Sequence, residues 1–158
     1  MSVPRPDITL RYVGPEYAQA LAKLHEECFP HYWDKNAFND FFAISGTHAL
    51  IAEDNMAGFK CVAMMVYRIQ FEQADIITLG VKQAYRRKKL ASMLLDKALA
   101  DIRTKGAQKL FLDVEEGNEA AIQLYERLGF SHLRRRKLYY RQKDGSFTDA
   151  LVMTKKFA

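Results

Sequence analysis

The sequence is poor in the features that mark secreted, membrane-spanning and metal-binding proteins. Its two cysteines, Cys28 and Cys61, lie in apolar surroundings, which favours reduced core thiols over a disulfide framework. No run approaches the roughly 20 apolar residues of a membrane span. The N-terminal segment MSVPRPDITL has no apolar core of signal-peptide length. The four histidines lack the spacing of zinc ligands. We therefore expect a cytoplasmic protein with no membrane segment and no metal site.

Length and charge narrow the classes of protein further. The 158 residues fit one domain, which we expect to span the whole chain, 1–158. The net charge of +5 is a mild bias towards anionic partners, such as nucleic acid, a phosphorylated cofactor or a ribosome. The positive charge is concentrated at residues 82–89 and 134–143, and the acidic segment DVEEGNE lies between these two regions.

Changes in hydrophobic period along the chain predict alternating strands and helices. Strands are predicted at ITLRYV, HALIAED, GFKCVAMMVYRIQ, DIITLGV, KLFLDV, FSHLRRRKLYY and TDALVMTKKF. Helices are predicted from Pro15 to Cys28, over DKNAFNDFF after an Asp34 N-cap, from about Leu90 to Gly106, and over EAAIQLYERL between Asn118 and Gly129. Turns are predicted at Asn55–Gly58 and at the KDG of residues 143–145. This order predicts an α/β protein in which helices pack on a mixed sheet.

A basic run within QAYRRKKLASMLL, residues 83–95, lies between a predicted strand and a predicted helix. One interpretation is a solvated loop. The other is an anion site, because helix N-termini present free amides and loops that turn their N–H groups inward form phosphate-binding concavities. Basic side chains around such a site add charge-assisted hydrogen bonds. The run would then form the rim of a diphosphate cradle, although neither the Walker A nor the dinucleotide glycine pattern is present.

Two motifs carry a resemblance to a known family. Residues 86–91, RRKKLA, resemble the acyl-CoA pyrophosphate loop of the GNAT acetyltransferases, Gln/Arg-x-x-Gly-x-Gly/Ala, with Arg86 and Ala91 at the first and last positions. Lys89 stands where the family usually has glycine, a residue that tolerates unusual backbone angles. Residues 118–130, NEAAIQLYERLGF, match the family pattern Asn-x-x-Ala-x-x-x-Tyr-x-x-x-Gly-Phe throughout. The chain is therefore identified as a member of the GNAT family.

Within this family the chain resembles the RimI subgroup, whose members acetylate the N-terminal amine of ribosomal proteins. The resemblance rests on LDVEEG, on RRRKLYYRQKDGSFTDALVM and on CFPHYW. It implies a single GNAT-fold domain of α/β (α+β) class, with a mixed, mostly antiparallel central sheet of about seven strands flanked by about four helices. It also implies acetyl-CoA as donor and, as acceptor, a ribosomal-protein N terminus that begins with alanine. Because no activated nucleophile is visible, we expect direct attack in a ternary complex without a covalent acetyl-enzyme.

The same resemblance implies which residues bind acetyl-CoA. The backbone of the strand segment Leu79, Gly80 and Val81 is expected to hold the pantetheine arm and the thioester oxygen. The pyrophosphate loop is expected to comprise Arg86, Arg87, Lys88, Lys89, Leu90, Ala91 and Ser92. Asn118 is expected to contact the cofactor, although a role as helix N-cap explains this residue equally well.

The resemblance also implies two catalytic residues. Tyr125 would protonate the departing CoA thiolate, since a phenol with a pKa near ~10 is protonated at neutral pH; the alternative is a plain core tyrosine. Asp113 is the expected base, although the subgroup often has glutamate there. Because aspartate is one methylene shorter, a water could carry the proton. Glu115 lies on the same side of the strand and is the substitute base.

Other functions stay open at this stage. The acceptor could be a small amine or another protein N terminus. Because Lys89 and Asp113 depart from the family pattern, a CoA-binding or RNA-binding module with weak or no catalysis is a further alternative. The RRRK at 134–137 could contact RNA, although we do not expect direct nucleic-acid binding. Trp33, Tyr139 and Tyr140 could line an acceptor groove or be amphipathic surface anchors.

Overall fold

A computed structural model of the chain describes residues 6–58, 60–141 and 144–157, and these residues form one seven-stranded sheet with four α-helices. The strands are β1 (Ile8–Val13), β2 (Thr47–Asp54), β3 (Lys60–Gln70), β4 (Gln73–Val81), β5 (Lys109–Glu115), β6 (Ser131–Arg141) and β7 (Phe147–Lys156). The helices are α1 (Ala18–Cys28), α2 (Lys35–Ala43), α3 (Leu90–Thr104) and α4 (Glu119–Arg127). The predicted order of elements and the predicted fold class are both confirmed. Of the described helices, none has the length and apolar character needed to cross a bilayer.

The strands follow the order β1-β2-β3-β4-β5-β7-β6. Every neighbouring pair is antiparallel except β4 and β5, which are parallel and are joined through α3. Parallel neighbours require such a crossover because the chain must return to the starting end of the sheet. The last strand, β7, inserts between β5 and β6 and leaves β6 at the edge of the sheet.

Parts of three predicted features lie outside the described residues. They are Met1–Arg5 of the N-terminal segment, Phe59 of the segment predicted as β3, and Gln142 and Lys143 around the predicted KDG turn. The described part of that turn includes Gly145, whose φ is +89°. A left-handed residue at this point suits a tight reversal of the chain, and β7 begins two residues later.

Helix boundaries follow the predicted capping residues closely. The side chain of Asp34 accepts a hydrogen bond from the Ala37 amide at 2.9 Å, and Asn118 accepts one from the Ala121 amide at 3.2 Å. Each bond satisfies one of the amides that the first turn of a helix leaves unpaired. Gly129, with φ +93°, follows the end of α4 and takes the left-handed conformation that terminates helices.

Two apolar layers lie on opposite faces of the sheet. On one face α3 and α4 pack against Leu50 and Met65, whereas on the other face α1 and α2 pack against Ile51 and Met64. Because successive strand side chains point to opposite faces, β2 and β3 supply both layers with alternate residues. Such strands are buried on both sides, which explains their nearly continuous apolar sequence.

His25 of α1 lies inside an aromatic cluster of the α1–α2 layer. Its ring stacks on Trp33, with centroids 4.6 Å apart, and touches the edge of Phe38 at 5.7 Å. The Nδ1 atom accepts a hydrogen bond from the Trp33 amide at 3.0 Å, so this nitrogen carries no proton. Burial lowers the pKa of His25 to about 4, which keeps the ring neutral at physiological pH.

This environment predicts a loss of stability in acid. The folded state binds a proton at His25 only near pH 4, whereas the unfolded chain binds one near its ordinary pKa of about 6.5. The unfolded state therefore holds more protons in this window, and stability falls as the pH drops through it. We expect the urea midpoint of wild type to fall with acidification, and the midpoint of His25→Asn to fall less steeply.

His31 provides the matched control, because this residue lies a few positions away and is exposed. His31→Asn should retain the pH slope of wild type. Equal slopes for wild type and His25→Asn would show that the proton uptake on unfolding does not come from His25.

Candidate active site

Strands β4 and β5 separate part of the way along their length. They pair at only four positions, from Gln73 with Lys109 to Ile76 with Leu112. Immediately afterwards β4 carries an extra residue, because Val66 of β3 pairs with Thr78 while Tyr67 pairs with Ile76. A bulge of this kind bends the strand that contains it. From Ile77 onward the β4 backbone therefore has no partner on its β5 side among the described strands.

The separation opens a cleft of about 990 Å³ through the sheet. On β5, Leu110, Leu112 and Val114 point into the α3–α4 layer. The alternate residues, Asp113 and Glu115, therefore point to the face that carries α1 and α2. Tyr125 of α4 belongs to the α3–α4 layer and lines the same cleft. The cleft thus brings together a phenol from one face and two carboxylates from the other.

Asp113 has a cationic neighbour that the sequence did not indicate. Its Oδ1 atom lies 3.6 Å from Nε of Arg136, which comes from β6 across β7. The Arg136 guanidinium also lies over the ring of Tyr139, 5.3 Å from its centroid. An ion pair in a partly exposed cleft contributes little stability, but it restricts the orientation of the carboxylate. Arg136 is therefore part of the surroundings of the predicted base.

Two further carboxylates line the cleft. Glu115 accepts a hydrogen bond from the Thr148 hydroxyl at 2.9 Å. Asp75 lies on β4, and burial raises the pKa of its carboxyl above the usual value, with the Asp113 carboxylate adding to the rise. Asp75 was not predicted as a site residue, although an aspartate at the start of a β-rich segment is itself an unusual choice.

Tyr125 is buried, with 7% of its surface exposed, and its ring meets Phe130 edge-on at 5.7 Å. Burial raises the pKa of the phenol to about 12. The hydroxyl is therefore protonated at neutral pH and can donate a proton or a hydrogen bond into the cleft. Its position is consistent with the predicted acid and also with a core side chain of α4.

The basic loop between β4 and α3 is held in place through Tyr85 and Arg86. Tyr85 is buried, and its hydroxyl donates a 2.6 Å hydrogen bond to Asp54 at the end of β2. Nε of Arg86 donates to the Val81 carbonyl at 3.2 Å, which holds this side chain against its own strand. Tyr85 was not predicted to matter, because its partner lies far away in the sequence.

The backbone of this loop is left-handed at two non-glycine residues. Arg87 has φ +63°, and Lys89, which occupies the N-cap position of α3, has φ +64°. Glycine adopts a positive φ without strain, which explains why the family usually has glycine at this position. In this chain Lys89 adopts the same conformation. The Lys89 side chain makes no capping hydrogen bond, in contrast to the N-caps of α2 and α4. The first amides of α3 consequently have no side-chain cap.

The predicted acetyl-CoA-binding residues fall into two groups. Leu79 and Asn118 line the cleft directly. The others are not among the residues that line it: Gly80 and Val81 lie near the end of β4, Arg86, Arg87, Lys88 and Lys89 in the loop, and Leu90, Ala91 and Ser92 in the first turn of α3. Leu90 has a buried side chain, so only its backbone is available to a ligand.

Gly80 is predicted to bind the cofactor through its backbone. Packing against α1 is a second reason for a glycine at this position. A Cβ atom at this position would lie 3.1 Å from the Phe29 ring and 3.3 Å from Cys28. The absence of a side chain therefore lets the end of α1 approach β4 closely.

Both cysteines are free and partly buried, and burial raises the pKa of each thiol to about 11.

The mouth of the cleft is formed by aromatic side chains. Trp33 and Phe41 line it from the α2 side, and Tyr139 and Tyr140 line it from β6. Burial, with the nearby Asp113 carboxylate, raises the pKa of Tyr140 well above its usual value. Tyr139 is 48% exposed and meets Tyr140 edge-on at 5.1 Å. The three predicted groove aromatics therefore lie together.

The RRRK segment has specific partners on the sheet. Arg134 and Arg136 line the cleft, whereas Arg135 forms an ion pair with Glu116 at 2.6 Å.

Within residues 6–58, 60–141 and 144–157, no group of three or more histidine, cysteine or acidic side chains is arranged to hold a metal ion.

Comparison with known proteins gives one family match. Residues 18–130 match the sequence model described as "Acetyltransferase (GNAT) family". Over 104 residues the chain is 34% identical to the [ribosomal protein bS18]-alanine N-acetyltransferase of Salmonella typhimurium. That match covers 66% of this chain and 66% of the relative, just under two thirds of the relative's length.

Two solved structures share the fold over nearly the whole chain. The ribosomal-protein-S18-alanine N-acetyltransferase from Escherichia coli superposes with a TM-score of 0.88 at 24% identity, covering 96% of this chain and 95% of that one. Arabidopsis thaliana NAA60 in complex with acetyl-CoA superposes with a TM-score of 0.82 at 19% identity, covering 96% of this chain and 99% of that one. At these identities the likeness concerns the fold.

The left-handed backbone at Lys89 predicts an unusual order of stabilities. Lys89→Gly and Lys89→Ala remove the same charge, but only alanine keeps a Cβ atom in the left-handed conformation, at a cost of about 1 kcal/mol. We expect the glycine variant to melt at the higher temperature in differential scanning calorimetry.

The neighbouring Lys88 is the control, since its φ is not positive. There the order should reverse, because glycine loses more backbone entropy on folding. An alanine variant at Lys89 that melts above the glycine variant would contradict the left-handed loop.

Proposed function

Because the chain belongs to the GNAT family of acetyltransferases, we propose that it transfers an acetyl group from acetyl-CoA to the N-terminal α-amine of a ribosomal protein, with alanine as the acceptor residue. The single observation that carries this proposal is the cleft in which Tyr125 and the β5 carboxylates meet. The proposal includes one acetyltransferase domain over 1–158 and a cytoplasmic location, where ribosomal proteins are accessible.

The donor is supported by two features of the structure. An extended pantetheine arm contains amide groups, and the open edge of β4 from Ile77 onward offers amides and carbonyls to pair with them. At the end of that strand, the uncapped first turn of α3 presents amides at a helix N-terminus. Such amides favour a diphosphate, and Arg87 and Lys88 add positive charge around it. Acetyl-CoA is the bound partner in the NAA60 structure.

The acceptor is supported by the shape and charge of the other face. The cleft mouth presents aromatic side chains and the carboxylates of Asp75, Asp113 and Glu115. Carboxylates attract an ammonium group and repel the phosphates of a nucleic acid, and the aromatic rings offer an apolar surface to an extended peptide. The curated Salmonella relative is named for alanine of ribosomal protein bS18, and we extend that class of acceptor to this chain.

The chemistry requires three actions from the residues in the cleft. An amine nitrogen attacks the thioester carbonyl carbon, a C–N bond forms and the C–S bond breaks. Asp113 takes the amine proton, directly or through a water, and the Tyr125 hydroxyl gives a proton to the departing thiolate. The α-amine has a pKa near ~8, so deprotonation at neutral pH costs little. Holding donor and acceptor together in one cleft contributes the remaining acceleration by proximity.

Glu115 is a second candidate for the base, because it accepts a hydrogen bond from the Thr148 hydroxyl. Asp113 is paired with Arg136, whereas Glu115 lies on the same strand face and is oriented by the Thr148 hydroxyl. Glu115 is therefore the alternative carboxylate for accepting the amine proton. We assign the base to Asp113 because it lies nearer to the point where β4 and β5 separate.

The acceptor class is tested by mass spectrometry. The protein and acetyl-CoA are incubated with peptides that carry ribosomal-protein N termini, with peptides of other first residues, and with small amines. We expect one acetyl group on the α-amine of the alanine-starting peptide, located by fragmentation. The same peptide with a blocked N terminus and a free lysine is the control and should stay unmodified. Acetylation of small amines or of the lysine alone would overturn the proposal.

The assignment of the base is tested by a matched pair, Asp113→Asn and Glu115→Gln. Without a base, the variant can acetylate only those amine molecules that have already lost their proton. We therefore expect Asp113→Asn to lose about tenfold in kcat/KM at pH 7, where about a tenth of the amine is neutral, and to recover as the pH rises above the amine pKa of about 8.

Glu115→Gln should keep the pH–rate profile of wild type. The opposite pattern, in which Asp113→Asn leaves the profile unchanged and Glu115→Gln alters it, would move the base to Glu115.

A further inference from the structure

Strand β6 departs from regular pairing where its side chains line the cleft. Arg136 pairs with Ala150 and Tyr140 pairs with Thr148. Three β6 residues, 137–139, therefore face a single β7 residue, Asp149. Leu138, in the middle of this bulge, has φ +53°, a conformation that is unfavourable for a side chain with a Cβ atom. Some contact must therefore hold the bulge in this shape.

The Asp149 side chain supplies that contact. Its Oδ1 atom accepts a hydrogen bond from the Leu138 amide at 2.9 Å. Its Oδ2 atom lies 3.7 Å from Arg135, on the other side of the bulge. The Asp149 backbone carbonyl accepts the Glu116 amide at 3.0 Å, just beyond the end of β5. One residue thus ties the bulge to the strand that carries the predicted base.

The bulge determines where two cleft residues lie. Tyr139 is its last member and Tyr140 follows it immediately, and both line the cleft. Arg136 precedes the bulge and reaches Asp113. A bulge re-aims the side chains beside it, so a regular β6 would place these residues at other positions relative to the cleft.

We propose that Asp149 is a positioning residue for the acceptor: its carboxylate holds the left-handed bulge at 137–139 and thereby places Tyr139 and Tyr140 at the acceptor side of the cleft. This inference rests on the proposed function, because it concerns the binding of the same acceptor peptide. The Asp149 carboxylate contacts Leu138 and Arg135, neither of which is a predicted acetyl-CoA-binding residue, so removing it should affect the acceptor rather than the donor.

The test compares Asp149→Ala with Asp149→Asn in steady-state kinetics with the alanine-starting peptide. Asparagine retains an oxygen that can accept the Leu138 amide, whereas alanine removes it. We expect Asp149→Ala to raise the KM for the peptide about tenfold, the effect of one hydrogen bond to a charged group. The KM for acetyl-CoA should stay at the wild-type value, and Asp149→Asn should stay close to wild type for both substrates.

Asp144→Ala is the matched control, because this carboxylate also accepts a backbone amide in the same hairpin, that of Ser146 at 2.9 Å. It should leave both KM values unchanged. In the Asp149→Ala background, Leu138→Gly should lower the peptide KM again, since glycine adopts a positive φ without a clamp. Equal increases in both KM values would indicate general destabilisation and overturn the inference.

Hydrogen–deuterium exchange separates this inference from the proposed function. The Leu138 amide should exchange slowly in wild type and Asp149→Asn, and faster in Asp149→Ala, whether or not any peptide is acetylated. Unchanged exchange in Asp149→Ala would overturn the inference. If wild type acetylates no peptide, the proposed function fails. Accelerated exchange in Asp149→Ala would still show that the Asp149 carboxylate holds the bulge.

Discussion

The loss of hydrogen bonding between β4 and β5 after four residue pairs is the constraint on which the site depends. A continuous sheet is closed to ligands, since its backbone groups are paired and its faces are covered by helices. Here the extra residue at Ile77 bends β4 away, and the gap connects the two faces. The side chains that line this gap come from both faces of the sheet, Tyr125 from one face and the carboxylates of β5 from the other.

The gap also explains how side chains from two separate layers line one cleft. Asp113 and Tyr125 belong to opposite faces of the sheet, and in an intact sheet the β5 backbone would separate them. The division keeps their environments different. The phenol is buried against α4 and protonated, whereas the carboxylate lies in a partly exposed mouth beside Arg136. A protonated phenol and a carboxylate therefore line one small cleft in two different environments.

The parts of this arrangement that sequence predicts are local. Alternating and helical periods, with caps such as Asp34 and Asn118, predicted every strand and helix, because these signals act within a few residues. The family motifs indicated Tyr125 and the loop. What was missed depends on register between distant strands: Arg136 reaches Asp113, Tyr85 reaches Asp54, and the bulge opposite Asp149 sets the cleft mouth. The left-handed backbone of Lys89 was also not predicted, because lysine rarely adopts this conformation.

The irregular course of β6 has a consequence for the protein in concentrated solution. This strand lies at the edge of the sheet, where a straight strand would offer an open ladder to a second chain. β6 instead breaks its register twice, at Leu133 and again at 137–139, and it carries consecutive cations from Arg134 to Lys137. An incoming strand would find no uninterrupted run of backbone partners and would meet charge repulsion from a like copy. The same bulges that form the mouth of the cleft therefore also protect the molecule against edge-to-edge aggregation.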